Sequence, residues 1–380
     1  MEKSNKKEIL FIGPLSGNKD AFNKAKSAAA DQVQVEIISA LNRLSKKDDS
    51  NLKIYSFSPA PSWPEGPFEI GGLKDKSYHW PKLINIVIIK QIIFSIKLMS
   101  MLLKIKPARI YVYNADAFQA FAIILYKKFY KSQTIAIIQD VLTYPHVSRI
   151  KSLGYKLSLR VIKGFSIIIA ISKNIIYDFD LPKNKSFVFQ GGCTRQSKIL
   201  KRFDIKNLKN VVIYAGALEK YNGIDLVIKQ WKSIDNYELH VFGKGSYEKE
   251  VISAARENKN IIFHGLCDEK TVSSYMAISK FNICLRYSEN INQIYFFPSK
   301  FFNVMSAPGL PIFNNFINFP SSAKKLCVLV DDDLSNLKNI INENINLDRI
   351  RNNRFHRLQW LNFNASWDSI VSKTYVKLEY

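Results

Sequence analysis

In the stretch "YFFPSKFFNVMSAPGLPIF" (295–313), Pro298, Ser299 and Lys300 stand where a run of aromatics gives way to an apolar, helix-like segment. Proline suits the first turn of a helix, where the early amides have no intrahelical acceptor. Those amides and the helix dipole favour an anion, most often a phosphate, and Lys300 adds a positive charge. The plainer alternative is Ser299 as a helix cap beside a surface lysine. Upstream, "VVIYAGALEKYNGIDLVIKQW" puts Gly216 and Ala217 directly after an apolar run, with Lys220, Tyr221 and Gly223 before a helix. Small residues there let the backbone approach a phosphorylated ligand closely. Arg286, in "CLRYSEN", ends another apolar run and is able to donate paired hydrogen bonds to a phosphate or carboxylate. Otherwise it is an ordinary surface arginine.

These residues need elements to hold them, and the chain supplies strand-like apolar runs alternating with helix-like segments. In the N-terminal half the runs are 8–13, 52–58, 108–114, 133–140 and 165–172; in the C-terminal half they are 211–218, 237–245, 260–265, 281–287 and 326–333. Alternation of this kind predicts an α/β fold of parallel strands with helices on both faces. A Gly-rich, charged stretch at 190–210 lacks periodicity and marks the boundary between two halves. Ligands of open α/β sheets bind beyond the carboxyl ends of the strands. Gly13, Ser16 and Gly17 follow the first run, Asn114 ends the third, and Gln139 and Asp140 end the fourth. Asp140 is placed to orient a hydroxyl or serve as a general base; capping the next segment is an equal alternative.

The 380 residues suit two domains. With 47 % hydrophobic and 23 % charged residues, the chain is expected to pack rather than stay disordered. The net charge of +23 predicts an anionic partner, whether phosphorylated small molecules, an acidic membrane or nucleic acid. No nucleic-acid module is recognisable, which disfavours the last. Cys193, Cys267, Cys284 and Cys327 show no metal-ligand spacing, so no zinc site and reduced thiols in a cytoplasmic setting are expected. The basic start "MEKSNKKEILFIGPLSG" reads as a first strand rather than a leader. Residues 83–105 are nearly long enough to span a bilayer, but Lys90, Lys97 and Lys104 recur every seven residues. That spacing predicts a helix with a wide apolar face and one solvated stripe, packed on the core or touching a membrane with its rim.

Taken together, 211–313 resembles the donor half of GT-B-fold glycosyltransferases of the large retaining family 4, or glycosyl transferases group 1. The likeness rests on Gly216-Ala217-Leu218, Gly223-Ile224-Asp225-Leu226, Gly243-Lys244-Gly245, the strand end at Gly265, and "FPSKFFNVMSAPGLPIF". The last string resembles a bacterial surface-polysaccharide subgroup. This resemblance implies two Rossmann-like domains facing each other across a cleft: an acceptor domain over 1–195, a nucleotide-sugar donor domain over 196–362, and a helix over 363–380 returning to the first. It implies metal-independent hexosyl transfer to a saccharide acceptor, lipid-linked in capsule, O-antigen or exopolysaccharide synthesis. No cofactor is expected beyond the nucleotide sugar, which is a substrate. Arg286, Lys300 and Asp140 become the catalytic candidates. Gly216, Ala217, Lys220, Tyr221, Gly243, Gly265, Tyr295, Pro298, Ser299 and Asn303 fall on the donor side, and Gly13, Ser16, Gly17, Asn114 and Gln139 on the acceptor side. Gln139 lies where many members carry a histidine.

The sequence also departs from the family. Tyr295 and Asn303 replace its two glutamates, and Ala217 and Asn222 stand where it has Arg and Lys, with Lys220 two residues away. A catalytically degenerate binding subunit is therefore the alternative reading, and a nucleotide-sugar epimerase a third. Finally, Arg149, Lys156, Arg160 and Lys163 share one face of a predicted helix, near Lys127, Lys128 and Lys131 in sequence. Such a face is expected to attract anionic lipid, placing the protein at the inner face of the plasma membrane.

Overall fold

The computed structural model describes residues 6–15, 28–57, 59–74, 78–139, 141, 149–192, 205–287, 293–343 and 346–376. They form two compact units, residues 1–191 with 367–380, and residues 192–366.

The first unit opens with β1 (Glu8–Pro14), α1 (Ala28–Lys47) and β2 (Asn51–Phe57). Four short strands follow: β3 (Glu69–Ile70), β4 (Leu73–Lys74), β5 (Tyr78–Trp80) and β6 (Leu83–Ile84). Then come α2 (Ile89–Ile105), β7 (Arg109–Tyr113), α3 (Ala117–Phe129), β8 (Gln133–Ile138), α4 (Arg149–Ile162), β9 (Ile167–Ala170), α5 (Lys173–Asp178) and β10 (Ser186–Val188). The main sheet has the order β10-β9-β8-β7-β1-β2-β5-β4, parallel except at its β4–β5 edge. Ile9, Leu10, Phe11 and Ile12 are all fully buried, because helices cover both faces of β1. The chain moves outward from β1 to β2, then resumes on the other side at β7. The carboxyl ends of β1 and β7 are thus a point where strand order reverses.

The segment 83–105 is not one helix. Its first residues form β6, with Ile84 opposite Glu69, and the helix begins only at Ile89. Asn85 is the reason: fully buried, it donates through Nδ2 to the Pro61 and Pro67 carbonyls at 2.6 and 2.9 Å. Lys90 reaches back to Asn85 Oδ1 (3.1 Å) rather than standing out with Lys97 and Lys104. Only Phe94, Ser95, Leu98 and Leu102 of α2 are buried, so much of its apolar surface faces outward.

The second unit contains β11 (Lys209–Ala215), α6 (Ile224–Trp231), β12 (Glu238–Phe242), α7 (Glu248–Glu257), β13 (Ile261–Gly265), α8 (Glu269–Ile278) and β14 (Ser279–Cys284). It continues with α9 (Lys300–Ser306), β15 (Leu310–Asn314), β16 (Val328–Val330), α10 (Leu337–Asn342) and α11 (Leu347–Asn364). All six strands are parallel, in the order β13-β12-β11-β14-β15-β16, and reversal falls between β11 and β14. Val212, Ile224, Val227, Trp231, Leu239 and Ile283 form its core. Each unit is therefore a Rossmann-like α/β layer structure.

The last helix, α12 (Trp367–Val376), packs on the first unit beside α1. Trp367 is fully buried with its ring against Phe189 (4.6 Å). Arg43 grips Asp368 with two bonds of 2.7 and 2.8 Å, and Gln133 donates to the Thr374 carbonyl at 2.8 Å. Burial of the indole alone is worth roughly 3–5 kcal/mol.

Candidate anion-binding site at the second sheet's switch point

Backbone bonds tie three neighbouring strand ends together. The Gly216 amide donates to the Phe242 carbonyl (2.9 Å), Leu218 to Lys244 (3.0 Å), and Gly243 to Gly265 (2.7 Å). Gly243 has φ +139° and no room for a side chain, because a Cβ would run into the Gly216 oxygen; Gly265 has φ +68° beside open space. Gly216 is different, being neither left-handed nor crowded. A Cβ there would lie 3.8 Å from Cδ and Cε of Lys300 and 3.9 Å from its Nζ. The lysine therefore passes directly over the bare turn that follows β11.

Phenylalanines set that lysine in place. Phe301 is fully buried, stacked on Phe313 (4.7 Å) and edge-on to Phe297 (5.1 Å), and its amide bonds back to the Pro298 carbonyl at 3.0 Å. At the other end of α9, buried Arg357 donates to the carbonyls of Met305, Ala307 and Pro308 at 2.9, 2.9 and 3.1 Å. Aromatics below and an arginine behind leave Ser299 and Lys300 outward. Ser299 has helical backbone angles and its side chain does not cap the helix, so the simple cap reading fails. Lys300 is exposed as a residue, but its ammonium is partly dehydrated. Burial lowers its pKa from 10.5, and the neighbouring Cys284 opposes that shift. Asn303 is exposed on the same short helix, and Tyr295 is half-buried in a turn before it.

Arg286, just past β14, is held on every side. Its amide donates to Asn314 Oδ1 and its carbonyl accepts from Asn314 Nδ2, both at 2.8 Å. Its guanidinium donates to Asn222 Oδ1 (2.8 Å) and lies over the rings of Tyr221 (4.9 Å) and Phe296 (5.2 Å). Asn222 in turn donates to the Ala217 carbonyl at 2.9 Å. The residue standing where the resembled family has a lysine thus anchors a cation arriving from the next strand. Lys220 is exposed at the start of the same turn. Burial pushes the Cys284 thiol up to about 11, and both Lys300 and Arg286 pull against that shift. Both cations are therefore close enough to act on one neutral buried group. Together the glycine turn, Lys300 and Arg286 form a cradle suited to a diphosphate.

The first unit's switch point is built differently. Gly13 lies under the Gln34 side chain, and its carbonyl accepts from Ser56 Oγ at 2.7 Å. Asn114, at φ +46°, accepts the Gln139 amide on Oδ1 (2.8 Å), and Gln139 is buried. These bonds fasten the carboxyl ends of neighbouring strands to one another. Ser16, Gly17 and Asp140 lie outside the described residues. Asp116, which the sequence analysis passed over, caps α3 by accepting the Gln119 amide at 2.9 Å. Burial pushes its carboxyl up to about 6, against the bonds from Gln119 and Phe118. Asn222 was noted only as a departure from the family and not as a partner of Arg286, and Asn314 was missed, although an asparagine closing the apolar run of β15 was a readable signal. Among the described residues, no cluster of three His, Cys, Asp or Glu side chains is placed to hold a metal ion.

Comparison with known proteins bears on this geometry. The family model for glycosyl transferases group 1 matches residues 195–292, the stretch that carries Gly216, Asn222 and Arg286. Curated protein sequences give no significant match. Among solved structures, the chain is similar to HepE of Anabaena in complex with UDP, at 13 % identity, 98 % of this chain, all of that one and TM-score 0.62. It is similar to an E. coli trehalose-6-phosphate structure with bound UDP-2-fluoro glucose, at 10 % identity, 97 and 98 % coverage and TM-score 0.61. It is also similar to the α,α-trehalose 6-phosphate synthase of Burkholderia multivorans, at 10 % identity, 98 and 97 % coverage and TM-score 0.61. The chain has the GT-B fold.

Proposed function

We propose that this protein is a retaining glycosyltransferase that moves a hexose from a nucleotide sugar to a saccharide acceptor, lipid-linked and destined for a bacterial surface polysaccharide. The observation that carries the reading is Lys300 lying over Gly216 at the β11–β14 switch point, with Arg286 held by Asn222 on the same turn. Two fixed cations around a bare glycine turn suit a leaving nucleoside diphosphate. UDP and a UDP-sugar analogue occupy similar structures, so a UDP-sugar is the donor to test first.

In this reading the second unit binds the donor. Gly216 lets the backbone approach the diphosphate, and Ala217 and Tyr221 line the turn. Lys300 and Arg286 offset charge that builds as the sugar–phosphate bond breaks, which is where preorganised donors lower a barrier most. We assign that role to the side chains in place of a divalent cation. Asn303 faces the ribose as a neutral acceptor. The first unit would offer the acceptor, with Asp140 orienting its hydroxyl. The chain would act at the inner membrane surface, drawn there by exposed Lys156 and Arg160 on α4 and Lys128 and Lys131 nearby; Lys163 is partly neutralised by Asp180 at 3.0 Å.

The catalytically degenerate alternative leaned on the lost glutamates at 295 and 303 and on the missing cations at 217 and 222. Arg286, anchored by Asn222, supplies a charge there, which favours an active donor site. Ligand-detected NMR with UDP- and GDP-sugars, followed by a donor-panel transfer assay on host lipid extract, tests the reading. Binding and transfer are expected; no binding at about millimolar donor, a weak affinity on the scale of ordinary KM values, would overturn it.

A further inference from the structure

The helices α2, α3 and α4 lie side by side on the first unit, and their outward surface is apolar. On α2, Ile89, Ile92, Ile96 and Leu103 are exposed, Ile96 by 66 %. On α3 the exposed residues Phe118, Phe121, Leu125 and Phe129 follow helical spacing, with Phe121 at 60 % and Phe129 at 76 %. Leu153 and Leu157 continue the surface on α4. Single exposed apolar residues are normal, but three adjacent stripes form a contiguous patch of the kind that marks an interface.

Charge identifies the partner. The three helices together carry nine Lys or Arg and no Asp or Glu. Lys97, Lys104, Lys128, Lys156 and Arg160 are exposed among or beside the apolar stripes. Two copies joined through this face would bring like charges together without compensation. An anionic bilayer suits both features, because lysine and arginine reach headgroup phosphates while their stems and the neighbouring isoleucines and phenylalanines enter the acyl boundary. No helix among the described residues is long and apolar enough to cross a membrane.

We propose that the α2–α3–α4 face is a monotopic insertion surface, seating the first unit in the outer few ångströms of an anionic bilayer through hydrophobic contact, with the basic residues steering it there. The proposal rests on the membrane-facing placement above and not on sugar transfer.

The distinguishing property is salt resistance, since a purely electrostatic contact is lost when charges are screened over roughly 3 Å at about 1 M salt. The full chain is sedimented with phosphatidylglycerol-containing vesicles and with phosphatidylcholine vesicles, at about 0.1 M and about 1 M NaCl. The wild type is expected to keep most of its binding to anionic vesicles at high salt. Combined Ile96→Gln, Phe121→Gln and Phe129→Gln should reduce partitioning by at least about tenfold at high salt. Combined Lys97→Gln, Lys104→Gln, Lys128→Gln and Lys156→Gln should reduce it chiefly at low salt. All these side chains are exposed, and unchanged circular dichroism and melting confirm folding. A Phe129→Trp variant gives a readout of insertion: with vesicle binding saturated, its emission should be quenched by brominated lipid more than that of the wild type, which has five tryptophans of its own. The proposal is overturned by wild-type binding that disappears at high salt, by an apolar variant that binds like wild type, by absent bromolipid quenching, or by a dimer that vesicles do not dissociate. UDP binding in solution is measured in parallel. Its loss with vesicle binding intact defeats the donor reading alone, and the converse defeats the insertion surface alone.

Discussion

Replacing Lys300 with alanine separates a chemical role from a structural one. Lys300 forms no ion pair with any described residue and is exposed, while its ammonium is dehydrated enough to lower its pKa. The folded pKa of a base lies below its unfolded value here, so the unfolded chain binds more protons in the window between the lowered value and 10.5. Stability rises with pH through that window, and below it the charged lysine is a small burden on the fold. Lys300→Ala should therefore leave the melting temperature unchanged or slightly higher at neutral pH. Donor chemistry should respond in the opposite way. A charge-assisted hydrogen bond to a diphosphate is worth about 1.5–3 kcal/mol, which becomes about a 10- to 150-fold loss in kcat/KM. If the bond strengthens as the leaving group departs, the loss appears in kcat rather than KM. The assay is donor turnover across pH, where wild-type activity should decline below the ordinary lysine value of 10.5 and Lys300→Arg should carry that decline to higher pH. A kcat/KM within roughly twofold of wild type in Lys300→Ala, or a clear fall in melting temperature, would refute the reasoning.

Four further outcomes follow from the geometry of the second unit. Gly216→Ala meets Lys300 only at ordinary contact distance, so it should fold normally yet bind UDP at least about tenfold more weakly by calorimetry. Gly243→Ala must both adopt φ +139° and push away the Gly216 carbonyl, costing about 3 kcal/mol or more in a denaturant titration. Arg357→Leu leaves three carbonyls at the end of α9 without their donor and should cost about 3–5 kcal/mol, with activity falling as the Lys300 turn loosens. His264 stacks on Phe242 at 4.3 Å and shares a 2.9 Å bond with His240, and burial, then His240, lowers its pKa from 6.5. The unfolded chain takes up that proton first, so the melting temperature should drop as pH falls through 6.5, and His264→Phe should flatten the slope.

The strand-rich plan was legible because continuous apolar runs such as 9–12, 135–138 and 167–170 read as strands buried on both faces, and they are. Gly216 and Lys300 were legible as candidates by type and position. Their convergence was not, since it depends on β11 and β14 becoming neighbours after the chain has passed through β12 and β13. Nor did the sequence mark Asn222 as the anchor of Arg286, or Arg357 as the donor closing α9, because a polar side chain's partner is chosen by tertiary proximity and not by spacing. The region 83–105 shows the limit most clearly. Periodicity identified a helix with an apolar face, but hydrophobic spacing is the same whether that face meets the core or the outside. Only packing decided which side of α2 was buried, and it left the isoleucine stripe exposed.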